Sequence, residues 1–113
     1  MTPTWSHGTL TGNGTADDAA PGGETVSTLF ARHGARIDRI VSNRHASPPG
    51  FWYDQNEDEW VMVIEGSATI GFDDGSTHLL FTGDWVAIPA HVRHRVVRTD
   101  AHTVWLAIHL TGV

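Results

Sequence analysis

Short runs of apolar and polar residues alternate along most of the chain, and turn-forming residues separate them. From residue 25 onward the runs are rich in Val, Ile, Thr and Trp, with Gly, Pro, Asn and Asp between them. Alternation of this length is typical of half-buried β-strands. The pattern predicts strands at TVSTLFA, RIDRIVS, GFWYDQ, EWVMVIE, SATIGF, THLLF, DWVAIP, HRVVR and TVWLAIHL, and no segment has a sustained helical period.

The turns between these runs indicate how the strands are arranged. The segment DDGS, residues 73–76, predicts a hairpin, because Gly75 can take the positive φ angle that tight turns need. Many short antiparallel strands with close turns indicate an all-β domain, either a sandwich or a barrel-like jelly roll. Residues 1–24 are rich in Gly, Thr, Asp, Ala and Pro without periodicity. They predict a flexible N-terminal arm that adds little to stability, while residues 25–113 form the folded domain.

Composition narrows the class of protein. A chain of 113 residues is long enough for one domain. It has no cysteine, which excludes disulfides, thiolate zinc sites and cysteine nucleophiles. The N-terminus has neither a basic start nor an apolar stretch, and the longest strongly apolar run, WVMVI, is too short to span a bilayer. These features predict a cytoplasmic protein that does not bind membranes.

The charge balance argues against nucleic-acid binding. The formal net charge is −6 with neutral histidines. In the densest positive stretch, RHRVVR, the arginines alternate with other residues along a predicted strand. Binding to a phosphate backbone needs several clustered cations. We therefore expect no nucleic-acid partner.

Two stretches carry specific spacings of glycine, proline and ionisable residues. Glu59 is followed by six residues and then Gly66. Gly83 is followed by five residues and then Pro89, and His94 comes five positions after that proline. These spacings resemble the two signature motifs of the cupin family. The resemblance implies a small single-domain cupin, with the jelly-roll barrel called a double-stranded β-helix.

The first motif departs from the family pattern. In the family, a His-x-His pair lies three or four residues before the glutamate. Four spacer residues place that pair on Trp52 and Asp54, and three place it on Tyr53 and Gln55, so neither register contains a histidine. The resemblance, over roughly residues 25–110, thus implies a metal motif whose paired imidazoles are replaced.

The resemblance also implies a divalent metal ion held by inward-pointing side chains. Glu59 and His94 are the first candidate ligands, and Asp54, Gln55 and His91 are candidates to complete the set. Oxygen donors with one or two imidazoles suit Fe(II), Mn(II), Ni(II) or Zn(II) better than Cu(I). A carboxylate inside a barrel is costly unless it is paired, neutralised or metal-bound.

Simpler interpretations of the same residues stay open. Glu59 and Asp54 could lie in a solvated turn, His94 could be a hydrogen-bonded core histidine, and His91 could be exposed in a loop. Arg39 is the main candidate for a salt bridge to Glu59 without a metal. His109 is undecided, because TVWLAIHL is apolar on both faces.

Three functions are therefore compatible with the sequence. The first is a metal-dependent enzyme of the oxygenase, lyase or isomerase type, whose pocket is lined by Phe51, Trp52, Tyr53 and Trp85. The second is a metal-free isomerase or epimerase with His94 as the base and Tyr53 as the acid. The third is a non-catalytic module that binds a small ligand. The many large aromatic residues also predict a homodimer.

Overall fold

The computed structural model describes residues 4–11 and 19–111, which contain eight β-strands and no helix. None of these residues therefore forms a helix long and apolar enough to cross a membrane. The strands are β1 (Glu24–Arg32), β2 (Ala35–Ser42), β3 (Glu57–Glu65), β4 (Ser67–Phe72), β5 (Thr77–Phe81), β6 (Trp85–Ile88), β7 (His94–Thr99) and β8 (Thr103–Thr111).

The strands form two antiparallel sheets that share one core. The larger sheet has the order β1-β2-β8-β3-β6, and the smaller has the order β5-β4-β7. Both sheets contribute to the buried apolar cluster, which consists of Val61, Val63, Ala68, Ile70, Leu80, Trp105 and Ala107. Two sheets that bury their inner faces against each other make a jelly-roll architecture. The predicted all-β fold is confirmed.

Eight of the nine predicted strands are present, and the ninth, GFWYDQ, is not a strand. This segment makes an isolated bridge, in which Tyr53 N–H donates to the His94 carbonyl at 2.7 Å and His94 N–H donates back at 3.2 Å. A ladder needs successive backbone groups directed at a neighbouring strand. Here the Phe51 N–H is used in a local turn to the Pro48 carbonyl instead, at 3.1 Å.

The hairpin predicted at residues 73–76 joins β4 to β5. Gly75 has a φ angle of 90°, and its N–H donates to the Phe72 carbonyl at 3.0 Å. The N–H of Phe72 donates to the Ser76 carbonyl at 2.9 Å. The turn therefore has the positive φ angle that the sequence indicated.

The predicted N-terminal arm lies partly outside the described residues, at positions 1–3 and 12–18. Two described parts of it contact the barrel. The Leu10 carbonyl accepts a hydrogen bond from Arg39 Nε at 2.7 Å, and the Ala19 carbonyl accepts one from Asn43 Nδ2 at 3.1 Å. Glu24, the last residue of the predicted arm, begins β1. The described part of the arm is thus attached to β2 and to the loop that follows it.

Candidate functional site

A cavity of about 240 Å³ is lined by side chains from both sheets. Its apolar wall consists of Val26, Ile40, Val61, Ile70, Val96 and Trp105. Its polar wall consists of Glu24, Arg36, Asp38, Tyr53, Gln55, Glu59, His94 and His109. Strand alternation explains this lining, because residues two apart on a strand face the same side, as Arg36, Asp38 and Ile40 do on β2.

His94 is a buried ionisable residue of the polar wall, with 5% of its surface exposed. Its Nδ1 lies 2.8 Å from the Val92 carbonyl, and its Nε2 lies 3.4 Å from Glu59 Oε1. A neutral imidazole must donate from Nδ1 to this carbonyl, which leaves the lone pair on Nε2. Burial lowers the pKa of His94, but its hydrogen bonds to Glu59 and Val92 and the charge of Glu59 raise it above its ordinary value overall.

Glu59 lies between two imidazoles. Its Oε1 faces His94, and its Oε2 lies 3.5 Å from Nε2 of the buried His109. The register of β3 with β8 places Glu59 directly opposite His109. Arg39, the partner expected for Glu59, does not line the cavity. Its Nε donates a hydrogen bond to the Leu10 carbonyl instead. On β2, Arg36 and Asp38 face the cavity instead.

A further charged group surrounds His109, and most of it was missed by the sequence analysis. Nε2 of His109 lies 3.6 Å from Asp38 Oδ2, and Nδ1 lies 3.3 Å from Glu57 Oε1. Arg36 bridges the same two acids, at 3.1 Å to Asp38 and 2.9 Å to Glu57. One feature of the sequence could have indicated this charged group. Charged residues two apart, Arg36 with Asp38 and Glu57 with Glu59, share a strand face, but the predicted β3 began two residues too late to include Glu57.

Tyr53 contacts the candidate base directly. Its ring stacks on the imidazole of His94, with 5.4 Å between ring centroids and 26° between planes. Burial raises the pKa of the Tyr53 hydroxyl, and the negative charges of Glu24 and Glu59 raise it further. The hydroxyl therefore stays protonated at neutral pH and can donate a proton.

The other predicted ligands divide into two groups. Asp54 Oδ1 lies 2.8 Å from His91 Nδ1, and these side chains are 50% and 64% exposed and do not line the cavity. Gln55 does line it, and its Oε1 is buried without a hydrogen-bond partner. The register with three spacer residues, which aligns Tyr53 and Gln55 with the family's histidine pair, is therefore the one that faces the cavity.

These positions do not build a closed metal site. In the part of the chain that the structure describes, no group of three or more His, Asp or Glu side chains is arranged to hold a metal ion. Glu59 and His94 are adjacent, and Gln55 offers an amide oxygen on the same cavity wall. Asp54 and His91 are paired with each other at the surface. The fit to a divalent ion is thus incomplete.

Of the four aromatic residues that the sequence analysis placed around the pocket, one lines the cavity. Tyr53 lines the cavity, whereas Phe51 and Trp85 are exposed. Trp52 lies beneath the guanidinium of Arg93, whose Cζ is 5.7 Å from the ring centroid. The indole that lines the cavity is that of Trp105, whose Nε1 donates to Ser42 Oγ at 3.1 Å.

Comparison with known proteins identifies the family. The cupin domain family matches residues 43–109, more than half of the chain. This protein belongs to the cupin family. No curated protein matches this cupin.

Solved structures similar to this cupin carry different names. A candidate mannose-6-phosphate isomerase of Ralstonia eutropha is 47% identical, with a TM-score of 0.84 over 95% of this chain and 99% of that one. A sugar phosphate isomerase of the cupin superfamily from Silicibacter pomeroyi is 26% identical, with a TM-score of 0.64 over 80% and 60%. A cupin superfamily protein of Desulfitobacterium hafniense, 19% identical, shares the fold with a TM-score of 0.71 over 84% of both chains.

Proposed function

We propose that this cupin is an isomerase or epimerase that moves protons next to the carbonyl group of a small organic molecule. The observation that carries the proposal is the buried pair of His94 and Glu59 on the cavity wall, with 3.4 Å between Nε2 and Oε1. His94 is the base, and Tyr53 is the acid.

The geometry of His94 suits a base. Because Nδ1 is held by the Val92 carbonyl, Nε2 is the nitrogen left to accept a proton. It takes the proton from the carbon next to the carbonyl group, and the electrons of that bond move into the carbonyl to form an enediol. The charge of Glu59 stabilises the imidazolium ion, and the raised pKa of His94 strengthens it as a base.

Tyr53 completes the proton balance for an α-hydroxy carbonyl substrate. Its hydroxyl gives a proton to the carbonyl oxygen and regains one from the neighbouring hydroxyl group, while His94 returns its proton to the former carbonyl carbon. The result is an exchange of carbonyl and hydroxyl positions with no net change in protons. The raised pKa of Tyr53 supports the role of acid, because the side chain is protonated before each turnover.

The names of two similar proteins support this class of reaction. The Ralstonia and Silicibacter proteins are both named as isomerases. The Ralstonia protein is 47% identical to this chain and is matched over 99% of its own length.

The test measures exchange of carbon-bound hydrogen with solvent. Aldoses and ketoses, with and without phosphate, are incubated with the protein in D2O and followed by proton NMR. We expect exchange next to the carbonyl group with the wild type and a loss of about 100-fold or more with His94→Asn. Tyr53→Phe should slow isomerisation as well.

His33→Asn is the matched control, because His33 lies at the exposed turn between β1 and β2 with a positive φ angle that Asn tolerates. This variant should keep wild-type exchange. Exchange that survives His94→Asn would contradict the mechanism. Binding without any exchange would instead indicate the non-catalytic ligand-binding module.

A metal-dependent enzyme is the second candidate, and the buried Gln55 Oε1 without a hydrogen-bond partner favours it. Glu59, His94 and Gln55 would hold an Fe, Mn, Ni or Zn ion. Such an ion would supply polarisation of a carbonyl oxygen. Elemental analysis of protein purified without added metal tests whether one is retained.

We also propose that this cupin is a cytoplasmic homodimer. A chain without cysteine suits a reducing compartment such as the cytoplasm. A homodimer is proposed because β1, an edge strand of the larger sheet, exposes the apolar side chains of Leu29 and Phe30.

A further inference from the structure

We infer that the cavity selects an uncharged polyhydroxy carbonyl compound and rejects its phosphate ester, an inference that rests on the proposed isomerase function. The first observation is the charge of the site. Glu24, Asp38 and Glu59 line the cavity, and Glu57 lies behind them against His109. Of the described residues that line it, Arg36 alone is Arg or Lys.

Arg36 is already neutralised. Its guanidinium contacts Asp38 at 3.1 Å and Glu57 at 2.9 Å. The chain has no lysine, and the Arg93 and Arg98 side chains pair with Asp73 and Asp100 away from the cavity. A phosphate group that approached Arg36 would have to displace a carboxylate, so the described residues that line the cavity offer it no guanidinium or ammonium group without an acidic partner.

The net charge of the group is negative in every protonation state of its histidines. Counted at formal charge, the four carboxylates of Glu24, Asp38, Glu57 and Glu59 and the guanidinium of Arg36 sum to −3 when His94 and His109 are counted as neutral. One negative charge remains when both imidazoles are protonated, and one remains if both are neutral and a divalent cation binds. His45, 3.8 Å from Glu24, does not line the cavity. A phosphate dianion therefore meets repulsion in each case.

The hydrogen-bonding character of the wall favours hydroxyl groups. Ionised carboxylates only accept hydrogen bonds, and the buried Gln55 Oε1 is a further acceptor without a partner. A sugar hydroxyl donates to such atoms, whereas a fully ionised phosphate cannot. The indole of Trp105 and the ring of Tyr53 provide apolar surface beside these acceptors.

The volume of the cavity limits the size of the ligand. At about 240 Å³ it is smaller than the pockets of roughly 300–1,000 Å³ that hold drug-sized ligands. A compound of monosaccharide size or smaller suits it.

The experiment compares binding within matched pairs. Calorimetric titration measures the dissociation constants of aldoses and ketoses such as D-fructose, of their 6-phosphates, and of inorganic phosphate. We expect each sugar to bind about tenfold or more tightly than its phosphate ester. Added salt should improve binding of the ester and leave binding of the sugar unchanged, because screening weakens repulsion between charges.

A variant tests the role of the acids directly. Glu57→Gln removes one of the two carboxylates that neutralise Arg36, and it should reduce the preference for the sugar several-fold. Glu65→Gln is the matched control, because Glu65 contacts His102 at 3.3 Å and does not line the cavity. It should keep the wild-type preference. The salt titration needs only the wild type and so does not depend on the variant's folding.

Tighter binding of the phosphate esters would overturn the inference, as would failure of every sugar in the panel to bind. Failure of the proposed function has a different signature. In that case the sugars would bind with the expected preference, but their carbon-bound hydrogen would not exchange with D2O.

Discussion

At the scale of single residues, Glu59 connects the two buried imidazoles of the site. Its two carboxylate oxygens face Nε2 of His94 and Nε2 of His109 at 3.4 and 3.5 Å. The hydrogen bond and the negative charge of Glu59 favour the protonated form of His94 and raise its pKa. The charge of Glu59 and the protonation of His94 are therefore coupled, and this coupling has a measurable effect on stability.

We expect the free energy of unfolding to fall as pH rises from about 6.5, the ordinary pKa of histidine. A group whose pKa is raised by folding stabilises the protein fully below its unfolded pKa and loses that contribution as pH passes its folded pKa. The pKa of His94 is raised, so the fall should be reduced in His94→Asn and in Glu59→Gln. Urea unfolding at a series of pH values measures this pH dependence of the free energy of unfolding.

His33→Asn should retain the wild-type pH dependence, because His33 is exposed in the turn between β1 and β2. An identical slope in wild type and His94→Asn would show that the pair of His94 and Glu59 does not contribute.

The sequence was informative for residues with motif spacing and less so for their partners. Glu59 and His94 could be placed in the cavity because the glycine and proline spacings around them resemble the cupin motifs, which imply inward-pointing side chains at these positions. His109 has no such marker, and its position depends on the pairing of β8 with β3, which sequence alternation alone cannot specify. Asp54 was a candidate ligand, but it lies outside the cavity, whereas its neighbours Tyr53 and Gln55 line it. A shift of one residue in the register separates the two faces of this segment.

At the scale of elements, the positions of most strands were predictable because turns interrupt the apolar alternation. Strands β4 and β5 match the predicted segments SATIGF and THLLF in full. The segment GFWYDQ has strand-like composition but lacks a ladder partner beyond Tyr53. Pairing between distant segments is a tertiary property, so β-propensity is a weak guide where only one bridge forms.

Gly66, between β3 and β4, should be far more sensitive to substitution than Gly75. Both have positive φ angles, 82° and 90°. A Cβ at Gly66 would lie 2.6 Å from the His102 carbonyl oxygen, whereas a Cβ at Gly75 meets nothing within 4 Å. Gly75→Ala should cost about 1–2 kcal/mol from its backbone conformation alone. Gly66→Ala should cost about 2 kcal/mol more, because the backbone of the neighbouring loop must move.

Urea unfolding of the two variants measures this difference. Equal losses would mean that the loop at His102 yields without strain, and the glycine of the first motif would then be required only for its φ angle.

At the scale of the whole molecule, the described part of the N-terminal segment contributes to stability through Arg39. This arginine is buried, and its Nε donates to the Leu10 carbonyl at 2.7 Å. Deleting residues 1–11 removes that acceptor and should cost about 1.5–3 kcal/mol, the range for hydrogen bonds to charged groups. From the composition of the arm, we had expected its deletion to have almost no effect on the free energy of unfolding. Composition cannot show which backbone carbonyl accepts a hydrogen bond.

A double-mutant cycle isolates this contact. In the Arg39→Leu background, the same deletion should change the free energy of unfolding little. Equal losses in both backgrounds would show that the segment stabilises the barrel elsewhere.

We predict that β1, an exposed edge strand, lies at the interface of the proposed homodimer. β1 is an edge of the larger sheet and exposes Val26, Leu29 and Phe30. Edge strands with apolar side chains are templates for pairing with another chain. Phe30→Asp should shift the protein from dimer to monomer in sedimentation equilibrium. Phe81→Asp, at a comparably exposed position on an edge of the smaller sheet, should not. A wild type that is monomeric at every concentration would contradict the prediction.

The second candidate function predicts that a divalent ion stabilises the whole barrel, because it would bind the folded chain and hardly the unfolded one. Mn(II), Fe(II), Ni(II) or Zn(II) should then raise the melting temperature, and a chelator should reverse the rise. His94→Ala and Gln55→Leu should abolish the response, since both side chains line the cavity. Asp54→Asn and His91→Asn should retain it, because these residues pair with each other outside the cavity. If Asp54→Asn and His91→Asn abolish the response while His94→Ala and Gln55→Leu retain it, the ion binds at the exposed pair of Asp54 and His91. A wild type that ignores both metal and chelator would leave His94 and Glu59 as a proton-transfer pair without a metal.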